Sequence, residues 1–242
     1  MRLYRPGISR TGQEKFMLHP RLETINTNEV LLYLGYRGGE VTPELEAQIE
    51  NAAALIMKTA RPKLTYRIFP LDSDRMVGTD FTPEGQDIRQ HLSDCESAVL
   101  MAVTLGPDVE TLLMRTEVKD MAQALILDSC ASTAVENVCD NFEGDLRRQY
   151  ETQGLYLTDR FSPGYGDMPI SQQRQFCELL DTRRRIGLAV SASGIMIPRK
   201  SVTAILGVSD KPRTFRSSGC AACSMFRSCA IRKEGRICSM GG

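Results

Sequence analysis

Arg160-Phe161-Ser162-Pro163-Gly164-Tyr165-Gly166 is the stretch around which the chain is organised. It follows the short apolar run Leu155-Tyr156-Leu157 and precedes a helix signal at Ser171, so it reads as a loop between two elements. Pro163 fixes one φ angle and pushes Ser162 towards an extended conformation. Gly164 and Gly166 permit positive φ or a close backbone approach to something bound. Arg160 offers a planar fork for a carboxylate, and Tyr165 a flat face with a hydroxyl tip. Such a set suits a small zwitterion. The plain alternative is a surface turn carrying an ordinary arginine.

Working outward, the elements come in a recognisable order. Thr42-Pro43-Glu44 is a helix start: hydroxyl cap, proline at the first helical position, acid near the positive end of the dipole. Leu45, Ile49, Ala52, Ala53 and Ile56 mark its apolar face, and it should stop before Pro62. Residues 64–69 alternate and are β-rich, predicting a strand. Thr82-Pro83-Glu84 repeats the helix-start chemistry. Ser97–Leu105 is an almost unbroken apolar run, predicting a buried strand, and a helix from Pro107 to about Thr116 follows. From Val118 to Tyr150 the periodicity stays helical, with many small residues in the first half, so this should be the central helix. Asp128, Glu136 and Asp140 lie on it, as a solvated polar face or as acids facing a cation. Ser171 is expected to cap the helix of Phe176, Leu179 and Leu180, with Arg183-Arg184-Arg185 complementing its C-terminal dipole. Strands over 186–190 and 202–208 complete the body. Strands and helices do not alternate strictly, which predicts an α+β fold with a mixed or antiparallel sheet and flanking helices.

Function classes can be narrowed by composition. The 242 residues, 42% hydrophobic, suffice for a real core. Thirty basic residues balance thirty acidic ones, against a nucleic-acid binder relying on overall charge. The opening residues lack an apolar leader pattern, and no apolar segment has membrane-spanning length, so a cytoplasmic location is expected. Neither a dinucleotide-binding glycine pattern nor a P-loop is present. His19 and His91 are isolated, which disfavours a histidine relay, and no catalytic acid or base is assigned.

The R-x-x-x-G-Y spacing of Arg160, Gly164 and Tyr165 resembles the S-adenosylmethionine-binding signature of the reactivation domain of cobalamin-dependent methionine synthase. The resemblance continues through Ile186-Gly187-Leu188, Ser193-Gly194-Ile195-Met196-Ile197-Pro198 and Ser201-Val202-Thr203-Ala204-Ile205. Upstream, Glu29–Tyr36 is similar to the opening of free-standing versions of the domain. The resemblance implies that Arg160 pairs with the methionine carboxylate, that Pro163 and Gly164 shape the loop, and that Tyr165 lines the pocket. It places Phe215 where an aromatic, usually a tyrosine, belongs. It implies S-adenosylmethionine as methyl donor for reductive remethylation of cob(II)alamin held by a separate corrinoid protein or methionine synthase, with an unidentified electron donor. The alternatives are a non-enzymatic S-adenosylmethionine-binding or corrinoid-docking module with a structural zinc, and a plain metal-stapled interaction protein.

Three segments are expected: an arm over 1–24, the resembling domain over 25–212, and a cysteine-rich tail over 213–242. The tail carries Cys220, Cys223, Cys229 and Cys238 in a C-x2-C-x5-C-x8-C spacing. A Cys-x-x-Cys turn aims two thiolates at one centre, and two more complete a tetrahedral site for zinc or an iron–sulfur cluster. The five-residue gap resembles auxiliary iron–sulfur loops more than zinc ribbons, and the surrounding basic residues would offset thiolate charge. An iron–sulfur centre would serve as the electron entry to cobalt. Cys95, Cys130, Cys139 and Cys177 are scattered among apolar neighbours and read as core residues.

Overall fold

The computed structural model describes residues 15–20, 22–36 and 40–212. In chain order its strands are β1 (Lys15–Leu18), β2 (Lys63–Asp72), β3 (Arg75–Met76), β4 (Ser97–Thr104), β5 (Tyr156–Leu157), β6 (Ala189–Val190), β7 (Met196–Ile197) and β8 (Ser201–Ser209). Its helices are α1 (Thr27–Tyr33), α2 (Pro43–Thr59), α3 (Gln86–Leu92), α4 (Pro107–Glu117), α5 (Met121–Glu151), α6 (Gln173–Leu180) and α7 (Thr182–Ile186). The main sheet runs β1-β2-β4-β8-β5, every pairing antiparallel, with β3 folding back on β2. The fold is α+β, with an antiparallel sheet between two helical layers. β1 lies inside the stretch expected as an arm and forms the sheet edge.

The apolar run at 97–105 becomes the middle of that sheet. Side chains alternate across a strand. Val99, Met101 and Val103 therefore enter the core shared with α2, α4 and α5, while Ala98, Leu100 and Ala102 enter the core shared with α3, α6 and α7. Covering both faces explains why the run lacks polar alternation. Each large side chain buried there contributes about 1.5–3 kcal/mol.

α5 has 31 residues, roughly 46 Å at 1.5 Å per residue. Asp120 caps it by accepting from the Gln123 amide at 3.0 Å. Ala124, Ala131 and Ala134 are buried along it and leave room for α2 to pack closely. α2 starts as its sequence predicts, with Thr42 Oγ1 accepting from the Leu45 amide at 3.3 Å and Pro43 at the first helical position.

Three local expectations are corrected. Thr82-Pro83-Glu84 does not start a helix: α3 begins at Gln86. The buried amide of Gln172 holds the earlier residues instead, accepting from the Glu84 amide at 2.9 Å and donating to the Thr82 carbonyl at 2.9 Å. Ser171 does not cap α6; it sits in a single 3-10 turn, and α6 begins at Gln173 without a side-chain cap. Residues 186–190 are not one strand. Asp181 turns left-handed after α6, and 182–186 form the short helix α7, so the three arginines occupy their own turn. Only Ala189–Val190 remains extended, paired with β7.

Candidate functional site

The loop after β5 is fixed at both ends. Phe161 and Ile205 exchange backbone hydrogen bonds at 2.9 and 2.7 Å, which ties the loop to β8. Ser162 Oγ donates to the Thr203 carbonyl at 2.6 Å. Pro163 is buried. The Gly164 amide donates to the Met168 carbonyl at 2.9 Å and the Met168 amide to the Tyr165 carbonyl at 3.0 Å, so 164–168 closes on itself. Gly164 has φ +95°, and an added Cβ would come within 3.3 Å of Ile170. Gly166 has φ +51°, and its Cβ would overlap the Asp87 carboxylate. Asp167 then reaches across the loop to α3, its two carboxylate oxygens accepting from the Gln86 amide at 2.6 Å and the Asp87 amide at 3.1 Å. These bonds to the carboxylate hold its pKa below the usual value.

Arg160 points from this loop onto α5. Its Nη2 donates to Asp140 Oδ1 at 2.7 Å and Glu136 Oε2 at 3.1 Å, and its Nε lies 3.5 Å from Glu143 Oε2. The three acids stand at spacings of four and three, one face of a helix. Glu143 is shared with Arg147, whose Nη2 is 2.6 Å away and also faces Asp159 at 3.4 Å. The Arg160 side chain is only 21% exposed. Burial works against its charge, but the Cys139 sulfur and the three carboxylates outweigh burial and raise its pKa. Cys139 is itself a buried thiol pushed strongly upward by burial, so the carboxylates are the charge that counts at neutral pH. Arg160 Nη1 is buried without a hydrogen-bond partner. An orphaned buried donor costs about 1–3 kcal/mol, a penalty that an incoming acceptor removes.

α1 supplies the other wall. Burial, and then the Asp140 charge, raises the Glu29 pKa. Burial also raises Glu136, against the pull of Arg160, with Asp140, Glu29 and Glu143 adding to the rise. Tyr33 is pushed up to about 12, first by burial and then by Glu136, Tyr165, Glu29 and Asp140. Tyr165, 60% exposed, stands within electrostatic reach of Tyr33. Glu29, Glu136, Asp140 and Glu143 therefore outnumber the two guanidinium groups beside them, Arg160 and Arg147. A cluster so composed favours a cationic group beside two tyrosine rings, with one arginine nitrogen left over for an anionic one.

The structure brings together Arg160, Tyr165, Glu136 and Asp140, as the sequence order allows. It does not present Arg160 as the open two-nitrogen fork that its side chain offers in isolation, because Nη2 and Nε are already engaged. Asp128 lies apart, paired with Lys200 at 2.9 Å. Glu29, Tyr33, Glu143 and Asp167 are additions that sequence reasoning missed. Glu143 was detectable, since Glu136, Asp140 and Glu143 repeat at helical spacing. Phe215, Cys220, Cys223, Cys229 and Cys238 lie outside the described residues. Among the described residues no cluster of histidine, cysteine and acidic side chains is arranged to hold a metal ion, and no helix is long and apolar enough to cross a membrane. Cys130, Cys139 and Cys177 are buried core thiols; burial pushes Cys130 up to about 11.

Comparison with solved structures gives a likeness of fold. A crystal structure of the MetH reactivation domain bound to AdoHcy superposes on the chain with a TM-score of 0.62. The chain shares that fold. The alignment covers 85% of this chain and 82% of the other at 14% identity, a likeness of fold and not of residues. No protein-family model and no curated protein matches the sequence.

Proposed function

We propose that the Arg160 site binds S-adenosylmethionine and that the protein reductively reactivates a separate corrinoid methyltransferase, such as a cobalamin-dependent methionine synthase. The observation that carries this reading is the charge pattern around Arg160. The ligand has a cationic sulfonium, an ammonium and a carboxylate. The excess of Glu29, Glu136 and Asp140 suits the two cations, and the unpaired Arg160 Nη1 suits the carboxylate. The shared fold supports the same reading, because the neighbour was crystallised with AdoHcy.

The residues of this chain bind and orient. Tyr165 and Tyr33 stand beside the acids, Gly164 lets the loop turn tightly, and Asp167 fixes the loop against α3. In the reaction, one electron reduces cob(II)alamin on the partner, and the reduced cobalt takes the methyl group as the carbon–sulfur bond breaks. The products are methylcobalamin and S-adenosylhomocysteine. No proton moves in this step, so none of the carboxylates at the site is asked to act as an acid or base. Positioning is the contribution asked of the protein. The four tail cysteines, read from their spacing, are the candidate metal centre, as an iron–sulfur electron entry or a structural zinc.

The test is anaerobic incubation of the protein with a cob(II)alamin-loaded methionine synthase, a low-potential reductant and S-adenosylmethionine. The proposal expects methylcobalamin in proportion to the corrinoid protein. Binding of S-adenosylmethionine without methylcobalamin would leave a ligand-binding or docking module and sink the reactivation step.

A further inference from the structure

The end of β8 opens into a second acidic region, on the far side of α3 from Asp167. A cleft of about 440 Å³ lies where the end of β2, the α3–β4 corner and the end of β8 meet. Asp72, Asp94, Glu96 and Asp210 line it, against Lys211 as its one basic lining residue. Asp72, Glu96 and Asp210 are exposed and make no ion pair among the described residues. Asp72, Glu96 and Asp210 against the single Lys211 leave this concave surface net negative, which favours a cationic occupant.

The chain itself supplies one at this spot. Asp210 and Lys211 belong to the cleft lining, so the described chain ends at its rim. Those thirty residues hold Arg213, Arg216, Arg227, Arg232, Lys233 and Arg236 against the single acid Glu234. Arg213 and Arg216 follow Pro212 by one and four residues. An extended chain advances about 3.3–3.6 Å per residue, so both stay within roughly 14 Å of the rim. Tethering this short holds the basic groups at an effective concentration near millimolar, where weak charge attraction suffices for docking.

We propose that the basic, cysteine-rich segment 213–242 docks intramolecularly in the acidic cleft at the α3–β4 corner. The consequence for the site follows from α3. Asp167 caps its first residues, and His91 near its end lies against the loop, with Nε2 2.9 Å from the Asp159 carbonyl and 2.8 Å from Thr158 Oγ1 and its ring 5.4 Å from that of Phe161. Docking therefore brings the basic tail to the opposite end of the short helix whose start is held by the Arg160 loop. The docking itself does not depend on the ligand bound at that loop or on the metal the tail holds.

Cys95 is a built-in reporter, because it is half-buried in the cleft lining. The experiment follows alkylation of Cys95 by iodoacetamide in the full chain, resolved from the other cysteines by peptide mass spectrometry. Docking predicts slow alkylation at low salt and several-fold faster alkylation at 1 M salt, where the Debye length falls to about 3 Å. The tail variant Arg213→Glu, Arg216→Glu, Arg227→Glu should be fast at both salt concentrations. Combining it with Asp72→Lys, Glu96→Lys, Asp210→Lys should restore slow, salt-sensitive alkylation, with hydrogen exchange in β4 reporting that the core remains folded. A tail variant that alkylates at the wild-type rate would overturn the proposal, as would a folded combined variant that stays fast.

Discussion

Two acidic regions flank α3, and they hold their charge in opposite ways. Around Arg160 the carboxylates come from α1 and α5; Glu29, Glu136 and Glu143 are partly buried, Asp140 is exposed, and Arg160 and Arg147 pair with the acids of α5. At the α3–β4 corner Asp72, Glu96 and Asp210 are exposed and make no ion pair among the described residues. Burial makes the first region responsive to pH and resistant to salt. Exposure makes the second responsive to salt. The first is suited to a small ligand of fixed shape, and the second to a loosely held basic chain.

The largest expected effect comes from removing the cation of the first region. Arg160→Ala leaves Glu136 partly buried without its cation, while Glu143 keeps Arg147. Breaking a fully buried pair costs about 3–5 kcal/mol, and screening at this partly open site reduces that to about 1–3 kcal/mol. Thermal unfolding should register the loss, whereas Asp210→Lys in the second region should leave the midpoint almost unchanged. Equal shifts would erase the distinction between the regions.

Next in size is the link between them. Gly166→Ala and Gly154→Ala both place a side chain at positive φ, which costs about 1 kcal/mol. Only at Gly166 does the new Cβ also collide with Asp87 at the start of α3, while Gly154 faces open space. Gly166→Ala should therefore lower the unfolding midpoint further. Equal midpoints would mean that the loop does not press on α3 as described.

A smaller effect concerns pH. Glu29 and Glu136 titrate above the ordinary 4.5 because burial disfavours their charged forms. With the folded pKa above the unfolded one, the empty protein gains stability from these two groups as pH falls through that window. A cationic ligand needs both groups ionised, so its affinity should fall across the same window. Glu136→Gln should weaken S-adenosylmethionine at neutral pH and flatten this dependence. An affinity independent of pH, in both proteins, would remove these acids from the site.

Much of the frame was legible in the sequence because its causes are local. The apolar run at 97–104, the Thr42-Pro43 cap and the long periodic stretch of α5 each state their structure within a few residues. The errors fall where distant groups take over. Thr82-Pro83-Glu84 has helix-start chemistry, yet Gln172 occupies the groups that a helix would need. The N-terminus of α3 is capped by Asp167, some eighty positions later, which no local pattern announces. Of the proposed site, Arg160 and Tyr165 stand out in the sequence, and Glu136 and Asp140 in part. Glu29 and Tyr33 do not, because only the packing of α1 on α5 brings them to the same place.

The most direct measurement is a calorimetric titration of S-adenosylmethionine into the wild type and Arg160→Lys. Lysine keeps the positive charge among the carboxylates but loses the nitrogen that Arg160 leaves unpaired. A charge-assisted hydrogen bond is worth about 1.5–3 kcal/mol, roughly a ten- to hundredfold change in affinity. Saturable binding to the wild type, with that loss in a folded Arg160→Lys, is the predicted result. Equal binding to both proteins, or none to the wild type, would contradict the assignment of this loop as the S-adenosylmethionine site.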